Sequence, residues 1–183
     1  MLTNLLQDRV HFNTILPLSW EVAAPVSAFA AEERQQSNIA LLRALSTLES
    51  ATSDKESEFG SAAQKTLERL EAKTDMALTL LAGLLANREP LPPAQPISVS
   101  AQGMAWLGPT GPEPGATLLL SIYLSPRFPL PLRLTATVIT SEPQAEERLT
   151  RASFTDLTPE MLDWLERTVF RYHRRAIQAR QGG

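Results

Sequence analysis

Cysteine is absent from the 183-residue chain, which excludes disulfides, thiolate metal sites and a cysteine nucleophile and fits a reducing, cytoplasmic setting. Histidine is nearly absent. His11 and His173 stand in the first and last segments with no ligand spacing around either, so both read as surface or packing residues and no metal is expected. There is no excess of basic charge either. The formal net charge is -3, so the molecule as a whole offers no electrostatic footprint for polymeric nucleic acid or an anionic membrane. Long apolar runs are missing: the longest, Ala77 to Ala86, is far short of the roughly 20 residues of a spanning helix, and no membrane insertion is expected. Met1 to Val10 includes Asp8 and Arg9 and lacks the layout of a secretory signal.

The usual catalytic patterns are equally scarce. Gly108, Gly111 and Gly115 lie among prolines without the lysine and hydroxyl residue of a phosphate loop, and read as turn residues. No serine occupies a strand-to-helix elbow. The carboxylate pairs Glu32 with Glu33 and Glu146 with Glu147 are adjacent in charge-rich stretches, whereas general acid and base groups need opposed environments. The expectation is a non-enzyme with no cofactor.

Three regions differ in texture. Met1 to Pro25 interleaves Val10, Phe12, Ile15, Leu16, Leu18 and Trp20 with polar residues, which predicts a strand with an irregular continuation. Val26 to Asn87 contains no proline and only Gly60 and Gly83, and is dominated by alanine, leucine, glutamate, lysine and glutamine, a helix composition. One continuous helix of that span would be roughly 90 Å long, more than a domain of this mass covers with its own core, so its apolar face needs a partner. Leu41, Leu45, Leu48, Thr52, Lys55 and Phe59 alternate steps of four and three, the seam of a left-handed coiled coil. After two successive steps of four beside Gly60, a stutter, Ala63, Leu67, Leu70, Thr74, Ala77, Leu81 and Leu84 resume it. The alternative is a turn at Ser57 to Ser61 and a helical hairpin. Both require helix packing, and a homo-oligomer is expected, a tetramer ahead of a dimer.

Arg88 to Gly183 forms the third region. Pro90, Pro92, Pro93 and Pro96 stop the helix and predict a stiff connector. Short β segments follow at Ile97 to Ala101, Met104 to Leu107, Thr117 to Leu124 and Leu132 to Thr140, then a polar hairpin loop at Ser141 to Glu147 and a further strand at Arg148 to Phe154. Such strands suggest a small antiparallel barrel or sandwich, an α+β chain once the helices are added. Thr158 before Pro159 and Glu160 is an N-cap, and Leu162, Leu165, Val169, Tyr172 and Ile177 recur on one face of a closing helix. That helix carries Arg167, Arg171, Arg174, Arg175 and Arg180; they complement its dipole or contact an anion.

Ser98-Val99-Ser100-Ala101-Gln102-Gly103, with Met104-Ala105-Trp106 after it, is similar to the D/NxSxxG motif of the PilZ domain, a family of small bacterial β-barrels many of which bind cyclic di-GMP. Gly115 with Leu118 to Leu124, Leu132 to Thr140, Ala152-Ser153-Phe154-Thr155-Asp156-Leu157 and the helix Met161 to Arg175 follow in the family's order, so the resemblance covers about half the chain. It implies a PilZ-like barrel whose first strand, Asp8 to Leu18, is cut off by the inserted heptad helix, as in atypical PilZ proteins that form tetramers.

The departures from the family bear on ligand binding. Ser98 occupies the aspartate or asparagine position and lacks the charge of a carboxylate. No RxxxR precedes the motif: Arg88 stands alone, and Arg9 is followed at the right spacing by Asn13. Each missing charge-assisted bond is worth about 1.5 to 3 kcal/mol, so the degenerate motif Ser98, Ser100 and Gly103 is expected not to hold cyclic di-GMP tightly. The resemblance then implies a non-enzymatic adaptor of the cyclic di-GMP network in motility, type IV pili or virulence, with an unidentified protein partner. The alternative is a cyclic di-GMP sensor with a non-standard site built from the motif residues and Arg9, Arg88, Arg171, Arg174 or Arg175. Leu45→Glu and Leu70→Glu each place a charge in the seam and are expected to split the oligomer; an unchanged solution mass in both removes the coiled-coil argument.

Overall fold

The computed structural model describes residues 10–51, 70, 74, 90–125 and 130–181. In chain order the elements are β1 (His11–Val22), α1 (Ala28–Ala51), β2 (Ala94–Ser100), β3 (Gly103–Gly108), β4 (Thr117–Ile122), β5 (Leu132–Gln144), β6 (Glu147–Phe154) and α2 (Pro159–Gln181). The strands form one closed antiparallel barrel in the order β1-β2-β3-β6-β5-β4. This is the expected α+β architecture, with strand ends that differ from the sequence reading.

Closure depends on β1, whose two halves have different neighbours. His11 to Pro17 pair with β2, from Ser100 down to Ala94, and Leu18 to Val22 pair with β4, from Ile122 to Leu118. Pro17 stands at the switch, where its missing N–H interrupts neither ladder. The strand therefore runs past the expected limit of Leu18 to Val22 because β4 offers it a second edge. β2 starts earlier than expected for a similar reason. Ala94, Gln95 and Pro96 extend the ladder along β1, and Pro96 is tolerated because β3 pairs only from Ile97 onward. Of the described part of the proline-rich connector, only Pro90 to Pro93 thus remain outside the sheet.

The polar stretch Ser141 to Glu147 is corrected more sharply. Ser141, Glu142, Pro143 and Gln144 continue β5 against Thr150, Leu149, Arg148 and Glu147, leaving a two-residue turn at Ala145 and Glu146. Polarity misled here because these residues lie beyond the end of β4 and form the outer edge of a β5-β6-β3 extension, where Glu142, Pro143 and Gln144 are exposed. A register shift between Val138 and Thr140 leaves Ile139 unpaired and exposed.

Inward-facing residues alternate along the strands. Ile97, Val99, Met104, Trp106, Leu118, Leu120, Ile122, Leu132, Leu134, Ala136 and Val138 are buried in one cluster with Phe12, Leu18 and Phe154. The helices join this cluster. Met161, Leu165 and Val169 enter it from α2, and Ile39, Leu41, Leu42 and Leu45 from α1. Thr158 Oγ1 accepts from Met161 N–H at 3.3 Å, the expected N-cap, and Ser27 Oγ does the same for Ala30 N–H at 3.2 Å.

Two amides on α1 hold the helix to the barrel. Gln35 Nε2 donates to Asp156 carbonyl at 2.7 Å while its Oε1 accepts from Thr158 N–H at 3.0 Å, tying α1 to the start of α2. Asn38 Nδ2 donates to Arg133 carbonyl at 2.7 Å and its Oδ1 accepts from Arg133 N–H at 3.0 Å, a two-point clamp on β5. Arg43 and Arg167 both lie over the Trp164 ring, each 5.4 Å from its centroid.

Leu41 and Leu45 are covered within the chain; their burial is accounted for by the barrel cluster, without a second copy. The stutter, the alternative turn at Ser57 to Ser61, and Phe59, Leu67, Ala77, Leu81 and Leu84 lie outside the described residues, as does the side chain of Leu48. Leu70 and Thr74 are helical, with Thr74 Oγ1 donating to Leu70 carbonyl at 2.8 Å, and Leu70 is 56% exposed. Leu70→Glu is therefore the clean probe of association, since Leu45→Glu also buries a charge in the fold. Leu42 has no exposed surface, and Leu42→Ala should cost about 2 to 5 kcal/mol in denaturant unfolding; a loss well under about 1 kcal/mol would show that α1 is not part of the cooperative core.

Candidate functional site

The motif residues lie at the β2–β3 turn and in the strand leading to it. Asn13 of β1, Ser98 of β2, Ala105 of β3 and Arg151 of β6 are successive cross-strand partners, so their side chains share one face of the wall. The next row, Phe12, Val99, Met104 and Ala152, faces the core. Alternation therefore places Ser98 and Asn13 on the outer face. Asn13, the residue four positions after Arg9, stands directly beside the serine that replaces the family's aspartate or asparagine. Arg9 and Arg88 lie outside the described residues.

This row is closed. Ser98 is 0% exposed and its Oγ has no hydrogen-bond partner; the same holds for the buried atoms Asn13 Oδ1 and Arg151 Nε. Ser100 is engaged in the turn itself, its Oγ donating to Gly103 carbonyl at 3.0 Å and accepting from Gln102 N–H at 3.4 Å. The turn is pinned to β6 as well, because Phe154 N–H donates to Gln102 carbonyl at 2.9 Å. Gly103 is dictated by space: a Cβ there would lie 2.5 Å from the Ala152 carbonyl oxygen. Serine and glycine at this spacing thus build the turn whether or not a ligand is present.

A cavity of about 340 Å³ opens beside the turn, lined by Ser100, Ala101 and Gln102 on one side and Glu166, Val169 and Phe170 of α2 on the other, with Val10 at its edge. Its wall contains a carboxylate and no arginine. Of the basic residues of α2, Arg167 is paired with Asp163 and those that follow are partly committed elsewhere. Arg171 Nη2 donates to Thr168 Oγ1 at 3.5 Å, Arg175 lies over the Tyr172 ring at 6.0 Å, and Arg174 is exposed. Tyr172 and His173 dock this part of α2 on the barrel. The Tyr172 ring stacks on Phe12 at 4.9 Å and its hydroxyl donates to Leu124 carbonyl at 3.3 Å. His173 Nδ1 lies 2.6 Å from the His11 carbonyl; since a carbonyl only accepts, Nδ1 carries the proton.

The structure therefore brings Ser98, Ser100 and Gly103 together as one turn and does not bring Arg174 or Arg175 to it. Arg151 joins the row without having been singled out from the sequence. Its signal was weak: a lone arginine alternating with Thr150 and Ala152 in a strand gives no hint of which strand lies beside it.

A closed six-stranded antiparallel barrel with a terminal helix and a turn of the SxxG type defines a small β-barrel domain. Residues 42–181 match the family described as atypical PilZ domain, cyclic di-GMP receptor, and the chain belongs to the PilZ family. It is similar to a pathogenic protein from Xanthomonas campestris whose crystal structure is described as a tetrameric PilZ domain self-assembled via a helical bundle, with a TM-score of 0.77, 26% identity, and coverage of 97% of this chain and 95% of that one. An inhibitor of motility from Bacillus subtilis aligns over 45% of this chain and 42% of its own at a TM-score of 0.37 and 19% identity, too remote to carry an argument. No curated protein matches the chain. Among the described residues no helix is long and apolar enough to cross a membrane.

The two roles of the motif separate by substitution. Gly103→Ala should cost about 1 to 3 kcal/mol because backbone must move, whereas Ser98→Ala, which removes an unpartnered buried hydroxyl, should leave thermal stability unchanged or raised. A drop on Ser98→Ala as large as that on Gly103→Ala would mean that the Ser98 hydroxyl is satisfied in solution.

Proposed function

We propose that the chain is a non-enzymatic adaptor of the cyclic di-GMP network, displayed in several copies by its inserted helix and binding cyclic di-GMP weakly or not at all. The observation that carries this reading is the closure of the motif: Ser98 has no exposed surface, Ser100 is spent on its own turn, and the adjoining cavity presents Glu166 in place of arginines. Dephosphorylated or neutral ligands would not suffer from this, but a ligand with two phosphates gains no charge-assisted bond there and meets a carboxylate.

Self-association is supported by the heptad spacing and by the description of the Xanthomonas relative as a tetramer assembled through a helical bundle. Because Leu41 and Leu45 are already covered by the chain's own core, the proposed seam runs mainly through Leu67, Leu70, Ala77, Leu81 and Leu84, with Phe59 at the stutter. Several barrels on one coil bind a repeated partner with avidity that a single barrel lacks.

A sensor with a non-standard site is the second reading, and one observation favours it. Asn13 Oδ1, Ser98 Oγ and Arg151 Nε are three orphaned polar atoms in one row, and each buried unmet bond costs about 1 to 3 kcal/mol. A ligand edge that displaced the covering side chains would recover part of that cost. Calorimetric titration with cyclic di-GMP, with solution mass measured in parallel, separates the two readings. The adaptor predicts no saturable heat at micromolar concentration and one oligomer mass with or without nucleotide. Micromolar binding that is abolished by Arg151→Ala would establish the sensor instead.

A further inference from the structure

The cleft between α1 and β5 carries positive charge that neither the motif nor the helical seam uses. Two cavities of about 370 and 530 Å³ adjoin there, and both are lined by Val26, Arg34, Asn38 and Arg133. Volumes of about 300 to 1,000 Å³ are those of small-molecule sites. Asn38 is buried, and its amide is consumed by the N–H and carbonyl of Arg133. Arg34 lies one helical turn before Asn38 on the same face of α1. A single buried amide therefore fixes where both guanidinium groups leave their elements.

Neither group has a partner among the described residues. Among the described residues, the side chains of Arg34 and Arg133 make no ion pair and no hydrogen bond. Other arginines are engaged: Arg43 with Glu160 and Trp164, Arg167 with Asp163 and Trp164, Arg148 with Ser141. Two acids face the cleft, Asp156 in the smaller cavity and Glu33 in the larger. Neither carboxylate comes within the 4.0 Å ion-pair distance of Arg34 or Arg133. α1 has no acidic residue in its first turn, and Ala30 of that turn borders the larger cavity, so the positive end of the helix dipole adds to the field.

We propose that this cleft binds a phosphate-bearing small molecule, with Arg34 and Arg133 gripping the phosphate. The two oxygens of a carboxylate are saturated by one guanidinium fork, whereas a phosphate has oxygens enough for two forks from opposite walls. Thr135 supplies a polar contact near it, and Pro25 and Leu134 an apolar surface for the body of the ligand. The site is separate from the PilZ motif and does not depend on whether that motif binds nucleotide.

The test is calorimetry on the full chain with two probes, inorganic pyrophosphate and guanosine monophosphate, against Arg34→Gln, Arg133→Gln and, as a control, Arg148→Gln, which lines neither cavity. Saturable binding is expected, about tenfold or more weaker in each cleft variant and unchanged in the control. Tighter binding of the nucleotide than of pyrophosphate would show that the apolar wall holds the ligand body; equal affinity would assign the site to the phosphate group alone. Absence of saturable heat for both probes in the millimolar range overturns the proposal, and so does binding that survives both cleft substitutions. Circular dichroism of the variants confirms that any loss is not unfolding.

Discussion

Pairing of β1 with β2 on one half and β4 on the other is the interaction on which the rest of the molecule depends. A six-stranded sheet without it would have two open edges; with it, every strand is paired on both sides and the apolar faces of all six enclose one core. The residues that make this closure are separated from the other strands by a long insertion, residues 23–93, whose first part carries α1. The insertion must therefore depart after Val22 and return at Ala94 without disturbing the ladder, and the chain achieves this by docking the first part of the insertion back on the barrel. Leu42 supplies the apolar contact. Gln35 and Asn38 supply direction, because each bonds to both a donor and an acceptor of the backbone it meets.

The same closure explains the state of the motif. Its row on the outer wall draws one residue from each of four strands, so the character of the site is set by Asn13, Ala105 and Arg151 as much as by Ser98. The SxxG turn persists for reasons of its own: Ser100 satisfies two backbone groups, and Gly103 admits the close approach of Ala152. The SxxG spacing thus has a folding role that does not depend on a ligand. Positive charge has instead accumulated at the end of α2 and in the α1–β5 cleft, away from the turn.

Strand existence was legible because alternation and proline or glycine turns mark it directly. Strand ends were not. Glu142 to Gln144 look like loop because they cover no core, yet their backbone pairs with β6; Ala94 to Pro96 look like linker, yet β1 offers them a ladder. The heptad reading was ambiguous for a related reason. Leu41 and Leu45 recur at a spacing that suits a partner helix of another copy and a barrel of the same chain equally well, since both present an apolar surface to one face of a helix.

The sequence by itself determined the kinds of element, their order, the Thr158 cap of α2 and the resemblance to the family motif, because these follow from local propensity, periodicity and the identity of neighbouring residues. Tertiary structure decided which side chains meet. Asn13 beside Ser98, Arg151 in the same row, Asn38 on Arg133 and Glu166 opposite the motif turn are all contacts between residues far apart in the chain. Register and closure bring them together, and neither is written in the composition of any one segment.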